Sequence, residues 1–182
     1  PQARRFLQGL VGDQRVRLEV GPEATDKYDR TLAHVFLADG TNIAERLLTA
    51  GHAFATPRPP NGAKARAYFA LERRAREADR GLWARPHYAV QPAAEAGDLR
   101  NTFRRLRGRV VTVTPKRKYV YVGLASGFQA VLRKDRTEAF NRAGRGPQAL
   151  LGHTVVVRGW VRTRDGIPRM RLHHPLQIET VQ

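Results

Sequence analysis

Cysteine is absent from the 182 residues. That excludes disulfides, thiolate metal sites and cysteine nucleophiles, and it selects no redox compartment. No apolar stretch approaches the ~18 residues that suggest a membrane-spanning helix, so no membrane partner is expected. Methionine occurs once, at Met170, and the chain opens on Pro1; it is expected to be the C-terminal portion of a longer translation product. Acidic side chains are scarce, with 16 Asp and Glu against 33 Lys and Arg.

The resulting net charge of +17 is the strongest feature of the composition. It is unevenly spread: residues 1–90 carry 15 basic and 10 acidic side chains, and residues 91–182 carry 18 and 6. Such a surplus implies a polyanionic partner, DNA or RNA, because each phosphate neutralised releases a condensed counterion. Arginine dominates over lysine, and its planar fork of donors suits phosphate oxygens. The bland alternative is an interaction domain whose charge serves only solubility.

The first half reads as mixed helix and strand. Phe6, Leu7, Leu10 and Val11 mark a helical face, and Val16, Leu18 and Val20 alternate with Arg15, Arg17 and Glu19 as in a half-buried strand. A polar loop is expected from Gly21 to Arg30, then a strand from Leu32 to Leu37. Asn42 has the character of a helix N-cap with Glu45 completing a capping box, and Gly51 that of a helix stop. A longer helix is predicted from about Ala63 to Arg80, with a seam of Tyr68, Leu71, Ala75, Ala78 and Leu82. Gly81 ends it and Trp83 is assigned to the core.

Small, polar and proline residues suggest a linker over 89–107. Beyond it the pattern becomes short strands at Arg109–Thr114, Lys118–Leu124, Phe128–Leu132, Thr154–Val161 and Arg169–Leu172, with a helix near Arg136–Ala143. Three strands, a helix and two strands is the order of an OB-fold barrel. The domains expected are therefore 1–88, a linker at 89–107, and a basic barrel at 108–182.

The run Asp26-Lys27-Tyr28-Asp29-Arg30-Thr31-Leu32-Ala33-His34-Val35 resembles the loop-and-strand signature of the thermonuclease, or staphylococcal nuclease, family, with Asp29 where the family has glycine. The Ala38-Asp39-Gly40 turn, the helix ending at Gly51 and the closing Gly81-Leu82-Trp83 agree in order and spacing over about residues 3–88. More loosely, Val157-Arg158-Gly159-Trp160-Val161 and His174-Pro175-Leu176-Gln177-Ile178-Glu179 resemble the barrel appended to some bacterial thermonuclease-like proteins. The fold class implied is α+β, mainly β: an incomplete thermonuclease-type OB barrel with helices, followed by a second small OB-like β-barrel.

The resemblance implies calcium-dependent hydrolysis of phosphodiester bonds in DNA and RNA. A cation and guanidinium forks stabilise charge on the phosphate while a carboxylate orients water. Arg30 matches a phosphate-clamping arginine, and Lys27 and Tyr28 match loop residues that touch a neighbouring phosphate. The other arginine, the glutamate and the metal aspartates belong to family strands that would precede Phe6. No metal ligands, and so none for Ca²⁺, are expected in this chain; a preceding segment or a second chain is expected to complete the first barrel. Asp26 and Asp29 read as turn residues, and Arg30 could equally be a surface arginine paired with one of them.

In the second half, Lys116, Arg117 and Lys118 precede Tyr119 and Tyr121. Alternation puts both tyrosines on one strand face, and cations beside exposed rings suit the stacking of unpaired bases. His173 and His174 point to opposite faces and read as structural; Gly144–Pro147 reads as a turn, and Trp160 as core. Two functions remain open: a metal-dependent nuclease acting through the intact protein, or a nucleic-acid-binding module without catalysis.

Overall fold

The computed structural model describes residues 2–99 and 101–182. The chain divides into two compact units, Pro1–Pro86 and His87–Gln182.

In the first unit, helix α1 spans Gln2–Val11, strands β1 and β2 span Arg17–Thr25 and Thr31–Phe36, and helices α2 and α3 span Ile43–Thr49 and Ala65–Glu77. β1 and β2 form an antiparallel pair in which Leu18 lies opposite Val35 and Val20 opposite Ala33. β1 runs on to Thr25 through an irregularity after Val20, so the expected loop shortens to the residues just before Arg30. Nor is β1 half-buried: Leu18 and Val20 are 52% and 50% exposed. Their alternation has an apolar side, but among the described residues β1 and β2 pair only with each other, in a two-stranded sheet. The apolar side of α1 is likewise without a buried residue, although Phe6 sets its ring 4.8 Å from that of His52.

The opposite face of the strand pair is the one that is packed. His34, on β2, meets the Tyr68 hydroxyl at 2.7 Å through Nδ1, and Asn42 donates to the same hydroxyl at 3.0 Å. Asn42 also caps α2, its side-chain oxygen accepting from the amides of Ala44 and Glu45. One asparagine thus joins a helix start to α3 and the sheet. Within α3 the seam is buried at Ala75, while Tyr68 and Leu71 are half-buried and Ala78 is exposed as the C-terminal cap. The residue that periodicity misses is Glu72. It is fully buried, accepts from the Ala55 amide at 2.6 Å and pairs with Arg76. Gly51 and Gly81, both with positive φ, let the ends of α2 and α3 meet: a Cβ on Gly51 would lie 2.1 Å from the Arg80 carbonyl oxygen. Trp83 is buried, as expected.

In the second unit, β3 spans Val90–Pro92, β4 Thr102–Pro115, β5 Tyr119–Leu124, β6 Gln129–Arg133, β7 Thr154–Arg164, β8 Ile167–Leu172 and β9 Ile178–Val181, with α4 at Thr137–Arg142. The stretch expected to be a linker therefore carries structure. Val90–Pro92 pairs with β4, and Ala93, Ala96, Phe103 and Leu106 are buried. Small residues there serve close packing rather than freedom.

The sheet order is β3-β4-β5-β6-β8-β7-β9, with β4 also paired to β7. β4 can serve two neighbours because it is long and irregular: Thr102–Arg109 pair with β7, and after a shift between Val110 and Thr112 the strand pairs with β5. Bulges of this kind bend a strand and close a barrel. The closed ring is β4-β5-β6-β8-β7. Leu106, Val122, Leu124, Phe128, Leu132 and Met170 are among the residues filling it, and Phe140 of α4 is fully buried.

Candidate nucleic-acid interface

The loop of the first unit is organised by one carboxylate. Asp26 accepts from the amides of Tyr28 and Arg30 at 2.9 and 3.1 Å and from Arg30 Nε at 2.7 Å. Its second contact with Arg30, through Nη2, is 2.5 Å. The five residues Asp26–Arg30 are thereby closed into a tight turn, as a short acidic side chain does well. Asp29 sits at φ 57°, a left-handed conformation that favours glycine but that aspartate tolerates. The Arg30 guanidinium, first among the causes, holds the Asp26 carboxyl at about 2, below its ordinary 3.8, and the two amides add to the effect.

This turn puts Lys27, Tyr28 and Arg30 side by side. Lys27 Nζ lies 4.5 Å from the centre of the Tyr28 ring and the Arg30 guanidinium 5.2 Å. Tyr28 is 63% exposed and the Arg30 side chain 71%. Asp26 occupies the Nε and Nη2 edge of Arg30, which leaves the Nη1 donors for another acceptor. Asn61 steadies the neighbouring strand: its amide accepts from the Glu23 N–H at 3.0 Å and donates to the Glu23 carbonyl at 2.8 Å. It bonds both backbone groups of Glu23, and no local signal in the sequence announces it.

Calcium takes six to eight oxygen ligands. Asp26 is committed to its own loop, and among the described residues no group of three or more His, Cys, Asp or Glu side chains is placed to hold a metal. The donor set of the described residues does not fit a calcium site.

In the second unit, Lys116, Arg117 and Lys118 are exposed in the turn between β4 and β5. Tyr119 and Tyr121 lie on the outer face of β5, with Val120 and Val122 buried behind them. The two rings are 6.5 Å apart, edge to face. The sequence reading missed the cations that share this face. Arg169 of β8 reaches across β6 to place its guanidinium 5.5 Å from the Tyr121 ring, and Arg171 comes within 5.6 Å of Tyr119. The signal was present in Arg169-Met170-Arg171-Leu172, where buried Met170 and Leu172 alternate with arginines.

Two smaller expectations divide. His174 is structural, capping the turn at Pro175–Gln177 by accepting from Leu176 N–H, and Gln177 accepts from the His173 and His174 amides. Trp160 is not core: it is 44% exposed, opposite Phe103 in the β4–β7 register.

The two units define α+β architecture of OB type, with a partly closed sheet. Residues 1–85 match the family model described as staphylococcal nuclease homologue, so this part of the chain is similar to that family. No curated protein matches the chain.

Proposed function

We propose that this protein acts on nucleic acid as a thermonuclease-like phosphodiesterase, with Arg30 as a phosphate clamp. The observation that carries the reading is the Asp26-organised turn inside the family segment. It presents Lys27, Tyr28 and Arg30 together at the surface. A guanidinium held in place before substrate arrives stabilises charge on phosphate oxygens without reorganisation. Lys27 and Tyr28 engage the next phosphate, and Lys116, Arg117, Lys118, Tyr119 and Tyr121 of the second unit hold the strand. Calcium, where it takes part, is bound by carboxylates other than those described here.

The test is cleavage of end-labelled DNA and RNA by the full-length protein, with calcium and with chelator. Arg30→Ala is expected to lower turnover by roughly 10²–10³, the usual loss for one transition-state donor. Arg30→Lys recovers little, because a point charge does not replace a fork. Unchanged cleavage by the alanine variant overturns the clamp.

A second reading, a binding module without catalysis, is favoured by the carboxylate set, since Asp26 is spent on its own loop. It is recognised by salt-sensitive nucleic-acid binding without cleavage under any metal.

A further inference from the structure

We propose that the outer face of the second unit's barrel binds single-stranded nucleic acid by stacking unpaired bases on Tyr119 and Tyr121. On this reading Arg169, Arg171 and the β4–β5 turn hold the sugar–phosphate backbone. The inference rests on the reading that the protein engages nucleic acid, and it names the strand state and the surface.

Three observations carry it. First, the ring β4-β5-β6-β8-β7 places the β4–β5 turn and the β7–β8 turn at the borders of one open groove of about 380 Å³. Lys116 and Tyr121 line one side, and Arg164 and Arg169 the other, where Asp165 lies 3.7 Å from Arg164 and 3.9 Å from Arg169 and offsets part of their charge. In OB barrels the second and third strands with these two loops form the oligonucleotide surface. Second, the floor is kept low by Gly123, where a Cβ would come within 2.3 Å of Thr112 Oγ1. Third, the cations are set beside the rings. The β6–β8 register places Arg169 level with Gln129 and Arg171 level with Val131, and Arg169 Nε donates to Gln129 Oε1 at 2.8 Å. That bond and the 3.9 Å contact of Nη1 with Asp165 hold the guanidinium beside Tyr121.

Rings and cations in this order suit a strand whose bases are free. In a duplex the π-faces of the bases are hidden against one another, so only phosphate contacts remain. In a single strand each base offers a face to a ring, and the arginines add cation–π contact as well as charge.

The experiment uses the full chain and fluorescence anisotropy with a labelled oligothymidylate of ~15 nucleotides, near the upper site size of one OB fold. A blunt duplex of the same length and heparin, a polyanion without bases, are the comparators. Chelator is present throughout to suppress cleavage. Tyr119→Ala/Tyr121→Ala is expected to weaken single-strand binding by roughly 30-fold or more and to leave duplex and heparin binding within about twofold, from the usual loss per stacked base. Tyr119→Phe/Tyr121→Phe keeps the rings and the affinity. Arg169→Gln/Arg171→Gln weakens all three ligands and lowers the salt slope. Circular dichroism confirms that each variant is folded.

Equal loss across the three ligands in the alanine variant, or no loss, overturns the stacking inference while leaving nucleic-acid binding intact. Failure of the unmodified chain to bind either nucleic acid overturns both readings.

Discussion

The β4–β7 register puts Arg105 directly opposite Arg158, and like charges facing each other across a sheet repel. The pair is tolerated because the carboxylate of Glu179, on β9, contacts both guanidiniums. It accepts from Arg105 Nη2 at 2.7 Å and Nε at 3.0 Å, and Arg158 Nη1 lies 3.5 Å away. The Arg158 and Glu179 side chains are 1% and 10% exposed, so solvent screens the cluster little. Glu179→Gln keeps the volume and removes the charge, leaving two guanidiniums in a protected site. Breaking a buried ion pair in this way costs about 3–5 kcal/mol. For a unit the size of residues 87–182, each kcal/mol moves the melting point by roughly 4–8 °C, so a fall of more than ~12 °C is expected.

Trp160 fluorescence, at an exposed tryptophan of this unit, reports the urea transition; calorimetry gives the melting point. The control reverses the sign of the argument. Replacing the whole cluster, Arg105→Met/Arg158→Met/Glu179→Leu, recovers most of the loss, because apolar packing of similar volume substitutes well for a buried ion cluster. A Glu179→Gln variant that melts with the parent refutes the reasoning. So does a triple variant less stable than the single one.

Two further outcomes concern the first unit. Gly51→Ala would force a Cβ to within 2.1 Å of the Arg80 carbonyl oxygen at φ 70°, so the ends of α2 and α3 must separate; a loss of at least ~2 kcal/mol is expected from strain and lost packing, read from Trp83 fluorescence during denaturation. Asp26 has its carboxyl lowered to about 2 by Arg30 and the loop amides. The folded value is below the unfolded one, so the loop's contribution is complete above pH ~4 and is lost as pH falls toward 2. A ¹³C carboxyl titration of Asp26 with a midpoint near 2 checks this, and a midpoint at 3.8 contradicts it.

Much of the local structure was legible because it depends on neighbours in the chain. The Asn42 cap, the glycine stops, the strand–strand–strand–helix–strand–strand order and the outward tyrosines all follow from spacing and turn chemistry. The Asp26–Arg30 loop was legible as a motif, since its bonds span only four residues. Errors arose where distant segments decide burial. The alanine- and proline-rich stretch after residue 89 looked like a linker but packs into a barrel, and Trp160 looked like core but faces outward beside Phe103.

Sequence alone determined that this chain carries a strong positive charge, an acid-organised basic turn and a barrel-forming alternation, because charge, turn geometry and period-two patterning are local properties. Tertiary structure alone decided which cations meet which rings. Arg169 and Arg171 reach Tyr121 and Tyr119 only because β8 lies beside β6 in a closed ring, and that neighbour relation is set by hydrogen bonding between strands far apart in the chain.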